Sequence, residues 1–139
     1  MATQAAYDAV KTYLSTTFSP TSVVDYDEID TVIEQQNVSF FCLQEINSIE
    51  DFLAFGDPSA LCVREISSFI VHVLVPAPES ASVARQLAEQ VQTGLRFRIL
   101  DSVTVSEVAP PEPGILNDGL WTSYQVTILT AVDRHVARP

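Results

Sequence analysis

The chain has 139 residues, 47% of them hydrophobic, and a formal net charge of −11. That length predicts one domain, residues 1–139, large enough to bury a substantial core. No run approaches the roughly 20 apolar residues of a membrane-crossing helix, and so acidic a chain lacks the basic surface that displaces counterions from nucleic acid.

The N-terminal MATQAAYDAVK has neither the basic stretch nor the apolar core of a secretory signal, so use in a reducing cytoplasm is expected. From about Thr3 to Thr17, Ala6, Val10, Tyr13 and Leu14 recur at helical spacing. Ser19-Pro20 should end that helix, because a residue before proline avoids helical backbone. Pro20 to Asn37 holds the acids Asp25, Asp27, Glu28 and Asp30, and its TVIEQQN reads as a short strand or a turn of helix. Phe40 to Ile46 reads as a strand, being rich in aromatics and β-formers. Asn47 to Ala60 is expected to be a connection, with Ile49, Phe52, Leu53 and Phe55 folded back on the core and a turn at Gly56-Asp57-Pro58-Ser59.

Leu61 to Val75 reads as one long strand, or two broken at Ser67-Ser68. Phe69, Val71, Val73 and Val75 make one apolar face and Ile70, His72 and Leu74 the other, which marks a central strand. Pro76 and Pro78 break it. A second helix runs from about Ser80 to Thr93, with Val83, Ala84, Leu87, Ala88, Val91 and Leu95 on one stripe, Ser80 as N-cap and Gly94 as stop. Val103 to Val108 and the run from Trp121 alternate as half-buried strands. Between them, Ala109 to Gly119 reads as a loop: Pro110, Pro111 and Pro113 remove amide donors and bar a regular strand. It should carry Ile115 and Leu116 on an exposed tip. The sum is an α+β domain, with a mainly antiparallel sheet of four to five strands covered by an N-terminal helix and one long amphipathic helix.

Catalytic signatures are absent from the sequence. It has no Gly-rich phosphate loop, no G-x-S-x-G and no H-E-x-x-H. The acidic cluster departs from a calcium loop at Ile29, at Thr31 and at Gln36, where the loop needs a glutamate, so it reads as a solvated acidic surface. Cys42 and Cys62 read as buried thiols, and His72 as a core or interface histidine. Trp121 reads as structural or as an interface anchor. Neither an enzyme nor a cofactor is expected.

The order of elements resembles the tail terminator (tail completion) family of long-tailed bacteriophages through most of the chain. The resemblance rests on the N-terminal helix, FFCLQEI, AFGDPS, the proline-ended FIVHVLVP, SASVARQLAEQVQTGLRF, VTVSEV, the Pro/Gly loop and DGLWTSYQVTI. The acidic Val23 to Glu34 and the missing glycine after the first helix depart from it. The resemblance implies a structural virion protein of the tail neck, assembled in the host cytoplasm. It would form a homohexameric ring on the tail tube protein, stop tube growth and join a head-closure or connector protein. It implies no enzymatic activity and no cofactor. Pro110, Pro111, Pro113, Ile115, Leu116 and Trp121 are then the expected assembly interface.

Residues 1–60 carry ten acids against Lys11 alone, whereas residues 61–139 carry eight acids and six arginines. In a ring, Asp25, Asp27, Glu28 and Asp30 are expected to line a passage through which DNA slides without binding. The alternatives are another neck protein, such as a head-closure protein or head-tail connector, or a small cytoplasmic ligand-binding domain.

Overall fold

The computed structural model describes residues 4–35, 38–57, 60–76, 81–100, 102–118 and 120–137. Helix α1 (Gln4–Thr17) is followed by strand β1 (Ser22–Asp25), a 3-10 turn (Tyr26–Glu28) and helix α2 (Ile29–Gln35). Strands β2 (Phe40–Asp57) and β3 (Ala60–Pro76) precede helix α3 (Ala81–Leu95). Strands β4 (Ile99–Leu100), β5 (Val103–Val108), β6 (Glu112–Asn117) and β7 (Trp121–Ala137) complete the order.

These strands form a seven-stranded sheet in the order β1-β2-β3-β7-β5-β4, with β6 also paired to β7. The fold is therefore α+β as expected. The sheet is larger than the four to five strands read from sequence, and it is mixed, since β1 runs parallel to β2. Two short edge strands (β1 and β4) and the irregular β6 account for the difference; pieces of two to six residues carry too little periodicity to be counted.

β3 has the expected central position, flanked by β2 and β7 along its whole length. Its Phe69, Val71, Val73 and Val75 meet Phe41 and Leu43 of β2, Val126 and Ile128 of β7, and the apolar stripes of α1 and α3 in one buried cluster. α1 contributes Ala6, Val10 and Leu14, one turn apart. Each fully buried Leu, Val or Phe here contributes about 1.5–3 kcal/mol of transfer free energy.

The expected α3 stripe faces the core at every position but Val83. Ala84, Ala88, Val91 and Leu95 are buried, Leu87 is half-buried and Val83 is 40% exposed. Alanines let the helix sit close to the sheet, which lifts Val83 out of contact. Gly94 does not stop α3 either. It lies inside the helix, where an added Cβ would meet the Tyr13 hydroxyl oxygen of α1 at 2.5 Å. Its role is close approach between the two helices. Ser80, the expected N-cap, lies outside the described residues.

The opposite face of the sheet carries a smaller cluster. Phe40, Cys42, Leu74 and Trp121 lie under Val32, with Tyr26, Ile29, Ile33 and Leu116 packed against them. Trp121 is thus buried in the subunit's own core, edge-on to Phe40 with ring centroids 5.5 Å apart.

The expected connection from Asn47 to Ala60 is strand. β2 continues to Asp57 and pairs with β3 from Phe40↔Leu74 to Asp57↔Ala60. Glu50 and Asp51 look like loop residues in sequence, yet charge is also what an edge strand carries. Ile49 is 55% exposed rather than folded back; the side chains of Phe52, Leu53 and Phe55, and residues Pro58 and Ser59 of the expected turn, lie outside the described set.

Candidate assembly surface

The long hairpin outgrows the core. The cluster under α1 and α3 takes only Phe41 and Leu43 from β2, and nothing from β3 before Phe69. A bulge between Glu45 and Asn47 marks the exit and leaves Ile46 exposed; such a bulge bends and twists its strand. The apolar row then gives way to hydroxyls. Ser48 and Ser67 share a hydrogen bond of 2.9 Å, next to buried Thr130. Beyond it, β2, β3 and β7 run on as a three-stranded ribbon from about Asn47 to Asp57, roughly 30 Å at about 3.3 Å per residue. Arg64 holds Asp133 across β3 and β7 in a two-pronged ion pair of 2.7 and 3.1 Å, and keeps the Asp133 carboxyl below its ordinary range.

Both outer edges of this ribbon are open among the described residues. β1 stops at Asp25↔Leu43, so no described strand continues its pairing along the outer edge of β2 beyond Leu43. β5 stops at Thr104↔Ala131, so β7 has none from Val132 to Ala137. A long strand edge without a neighbouring strand is a template for another one.

The acidic segment at the end of β1 comes together as the sequence suggests, but Asp25 is tied to α1. It accepts hydrogen bonds from the Tyr7 hydroxyl and, at 3.2 Å, from the Lys11 ammonium. Asp27, Glu28 and Asp30 are exposed. Among the described residues no three His, Cys, Asp or Glu side chains are grouped to hold a metal ion.

The Pro-rich segment differs from the expected loop. Residues Glu112 to Asn117 form β6, whose register against β7 jumps from Pro113↔Tyr124 to Asn117↔Thr122. Pro113 has no amide to give, so side chains substitute for the ladder. The Leu116 amide donates to Ser123 Oγ at 2.9 Å and the Ser123 amide to Asn117 Oδ1 at 3.3 Å. Pro110 and Pro113 are exposed and Pro111 half-buried. Leu116, expected on an exposed tip, packs with the Phe40 and Trp121 cluster. The side chain of Ile115 and the whole of Gly119 lie outside the described residues.

His72 and Cys42 sit side by side across β2 and β3. His72 Nε2 lies 2.8 Å from Gln44 Oε1 and its ring stacks on Tyr26, while Nδ1 is buried without a partner. Burial lowers the His72 pKa to about 4 and raises that of the Cys42 thiol to about 12. Both are neutral interior groups near neutral pH. Cys62 is ten residues along β3 from His72, the partner of Cys42, which is about 33 Å and far beyond disulfide reach.

Sequence reasoning missed the turn after α3. Arg96, Phe97, Arg98 and Ile99 are all exposed, Phe97 by 82% and Ile99 by 69%. Phe97 has φ of 59°, in the left-handed region, where an L residue pays roughly 1–2 kcal/mol. The available signal was an Arg-aromatic-Arg run directly after a helix in an otherwise acidic chain.

No protein-family model and no curated protein matches the chain.

Proposed function

We propose that the chain is a self-assembling structural subunit that forms a ring on the end of a phage tail tube, stops tube growth and offers a joining surface to the head connector. The observation that carries this reading is the three-stranded ribbon, which runs on past the α1 and α3 helices, with Val63, Glu65 and Val132 still buried in it and no described strand along its outer edges. A solitary small domain gains nothing from such a projection, whereas neighbouring subunits can complete its edges. The charge distribution supports it too. A ring through which DNA passes benefits from carboxylates, although screening limits their reach to about 10 Å at 0.1 M salt. Pro110, Pro111 and Pro113 remain candidates for contacts at the rim, and Glu28 for the DNA-facing wall.

The test is electron microscopy and light scattering of the purified chain, alone and mixed with polymerising tail tube protein. Rings of several copies that cap tubes and halt their elongation are the expected outcome. A monomer at every concentration, leaving tube length unchanged, sinks the reading.

A further inference from the structure

We propose that the α3–β4 turn is a knob that inserts Phe97 and Ile99 into an acid-rimmed cleft on a second copy of this chain, formed by Tyr26, Asp27, Ile29, Asp30, Ile33 and Leu116. The inference deepens the ring reading and rests on it.

The knob is built to stay out. The Arg98 amide donates to the Leu95 carbonyl at 3.1 Å, and the Val105 amide to the Arg98 carbonyl at 2.9 Å. Arg98 Nε donates to the Gly94 carbonyl at 2.7 Å, and its guanidinium lies 4.8 Å from the centre of the Tyr13 ring. Phe97 is fixed between these anchors at φ 59° with its ring in solvent. A non-glycine residue held in that region, with a large apolar side chain exposed, is an outlier that invites a functional reading. Pre-ordering also lowers the entropy lost on association.

The cleft has matching chemistry. It is an open cleft of about 400 Å³, with Ile29, Ile33 and Leu116 as its aliphatic lining and Asp27 and Asp30 beside them. An apolar cavity of roughly 150 Å³ already accepts benzene, so there is room for the Phe97 ring and part of Ile99. Among the described residues, Arg96 has no carboxylate partner, and neither Asp27 nor Asp30 has a basic one. One copy thus offers an unpaired cation beside an exposed phenyl group, and the other an apolar cleft beside unpaired anions. Knob and cleft share no residue, so repeated contacts of this kind are head-to-tail and close into a ring when the rotation allows. Asp27 and Asp30 then bind a neighbour instead of facing DNA.

The experiment measures the mass of the full chain by sedimentation across a concentration series. Its variants are Phe97→Ser, Arg96→Glu, Asp27→Lys with Asp30→Lys, and the combined charge swap. All are exposed positions, and circular dichroism melts should stay close to the parent. Phe97→Ser and each charge reversal should raise the concentration needed for assembly at least tenfold, and the combined swap should bring it back toward the parent value. If the parent forms rings and these variants form them equally well, the knob contact is wrong and the ring reading stands. Assembly that stops at a two-copy particle sensitive to these changes keeps the contact and removes the ring. A parent that is monomeric throughout overturns both.

Discussion

Tyr7 on α1 donates its phenolic hydrogen to the Asp25 carboxylate at the end of β1, tying the first helix to the edge of the sheet. Burial first, and the Asp25 hydrogen bond second, push the Tyr7 pKa above its ordinary value. The same bond is the main reason that Asp25 titrates below the usual carboxylate range, with Lys11 assisting.

Replacing Tyr7 by Phe should therefore destabilise the chain by about 1 kcal/mol; a hydrogen bond to a charged group is worth roughly 1.5–3 kcal/mol, discounted because the Asp25 side chain is 40% exposed. The pH dependence follows from the lowered pKa. Stability from Asp25 is present above its unfolded pKa of about 3.9 and is lost as pH falls through the lower folded value. Urea unfolding from pH 6 down to pH 2 should show a shallower acid loss in Tyr7→Phe. Superimposable acid limbs would mean the bond contributes nothing.

His72 supplies a separate pH signature. Its folded pKa of about 4 lies below the 6.5 of the free side chain, so the unfolded state binds the extra proton between those values. Stability from His72 is present above about pH 6.5 and lost as pH falls toward 4, by about 3 kcal/mol. The facing side chains, Gln44 and Tyr26, bring no positive charge. His72→Leu should flatten the stability profile across that window, and the parent's imidazole resonances that vanish in His72→Leu should show no titration above pH 5. A His72 imidazole, identified by its loss in His72→Leu, that titrates near 6.5 in the folded chain would contradict the assignment.

Gly94 and Tyr13 make a coupled pair. Alanine is the better helix former by about 1 kcal/mol, but its Cβ would meet the Tyr13 hydroxyl oxygen at 2.5 Å, and Tyr13 is held beneath Arg98. Gly94→Ala should destabilise the parent and stabilise a Tyr13→Phe background, where the obstructing oxygen is gone. A double-mutant cycle of thermal melts reads this reversal of sign. The same sign in both backgrounds would show that the hydroxyl is not the obstacle.

Truncations along α3 should map its buried stripe. Leu95→Ala is expected to cost about 2–5 kcal/mol because the side chain is fully buried. Val83→Ala should stay within about 0.5 kcal/mol. Chemical denaturation of the two variants checks the orientation, and equal losses would return Val83 to the buried stripe.

Periodicity made the centre of this fold legible. Phe69 to Val75 carries apolar residues on both faces, interrupted only at His72, and Ala6, Val10 and Leu14 repeat at helical spacing, so β3 and α1 were readable from residue types alone. The ribbon was not, because Glu50 and Asp51 on an open edge imitate a loop. β6 was hidden for another reason: beyond Pro113 it is tied to β7 through the side chains of Ser123 and Asn117, not by a regular ladder. Of the candidate surface, the acidic run was visible as charge. Its division into a braced Asp25 and exposed Asp27 and Asp30 depended on Tyr7 and Lys11, which lie 18 and 14 residues earlier. Phe97 was hidden by backbone conformation, which no residue-by-residue hydropathy records.

The central place of β7 sets a timetable for the chain's synthesis. β3 pairs with β2 across a hairpin, but its other edge waits for a strand that begins only at Trp121. At about 5–20 residues per second a ribosome needs roughly 2–9 s to translate residues 77–120. Throughout that interval the apolar edge from Phe69 to Val75 has no partner of its own. Nascent chains stalled before Trp121 should therefore recruit chaperones and aggregate on release, while chains released after residue 137 should fold as ordered domains.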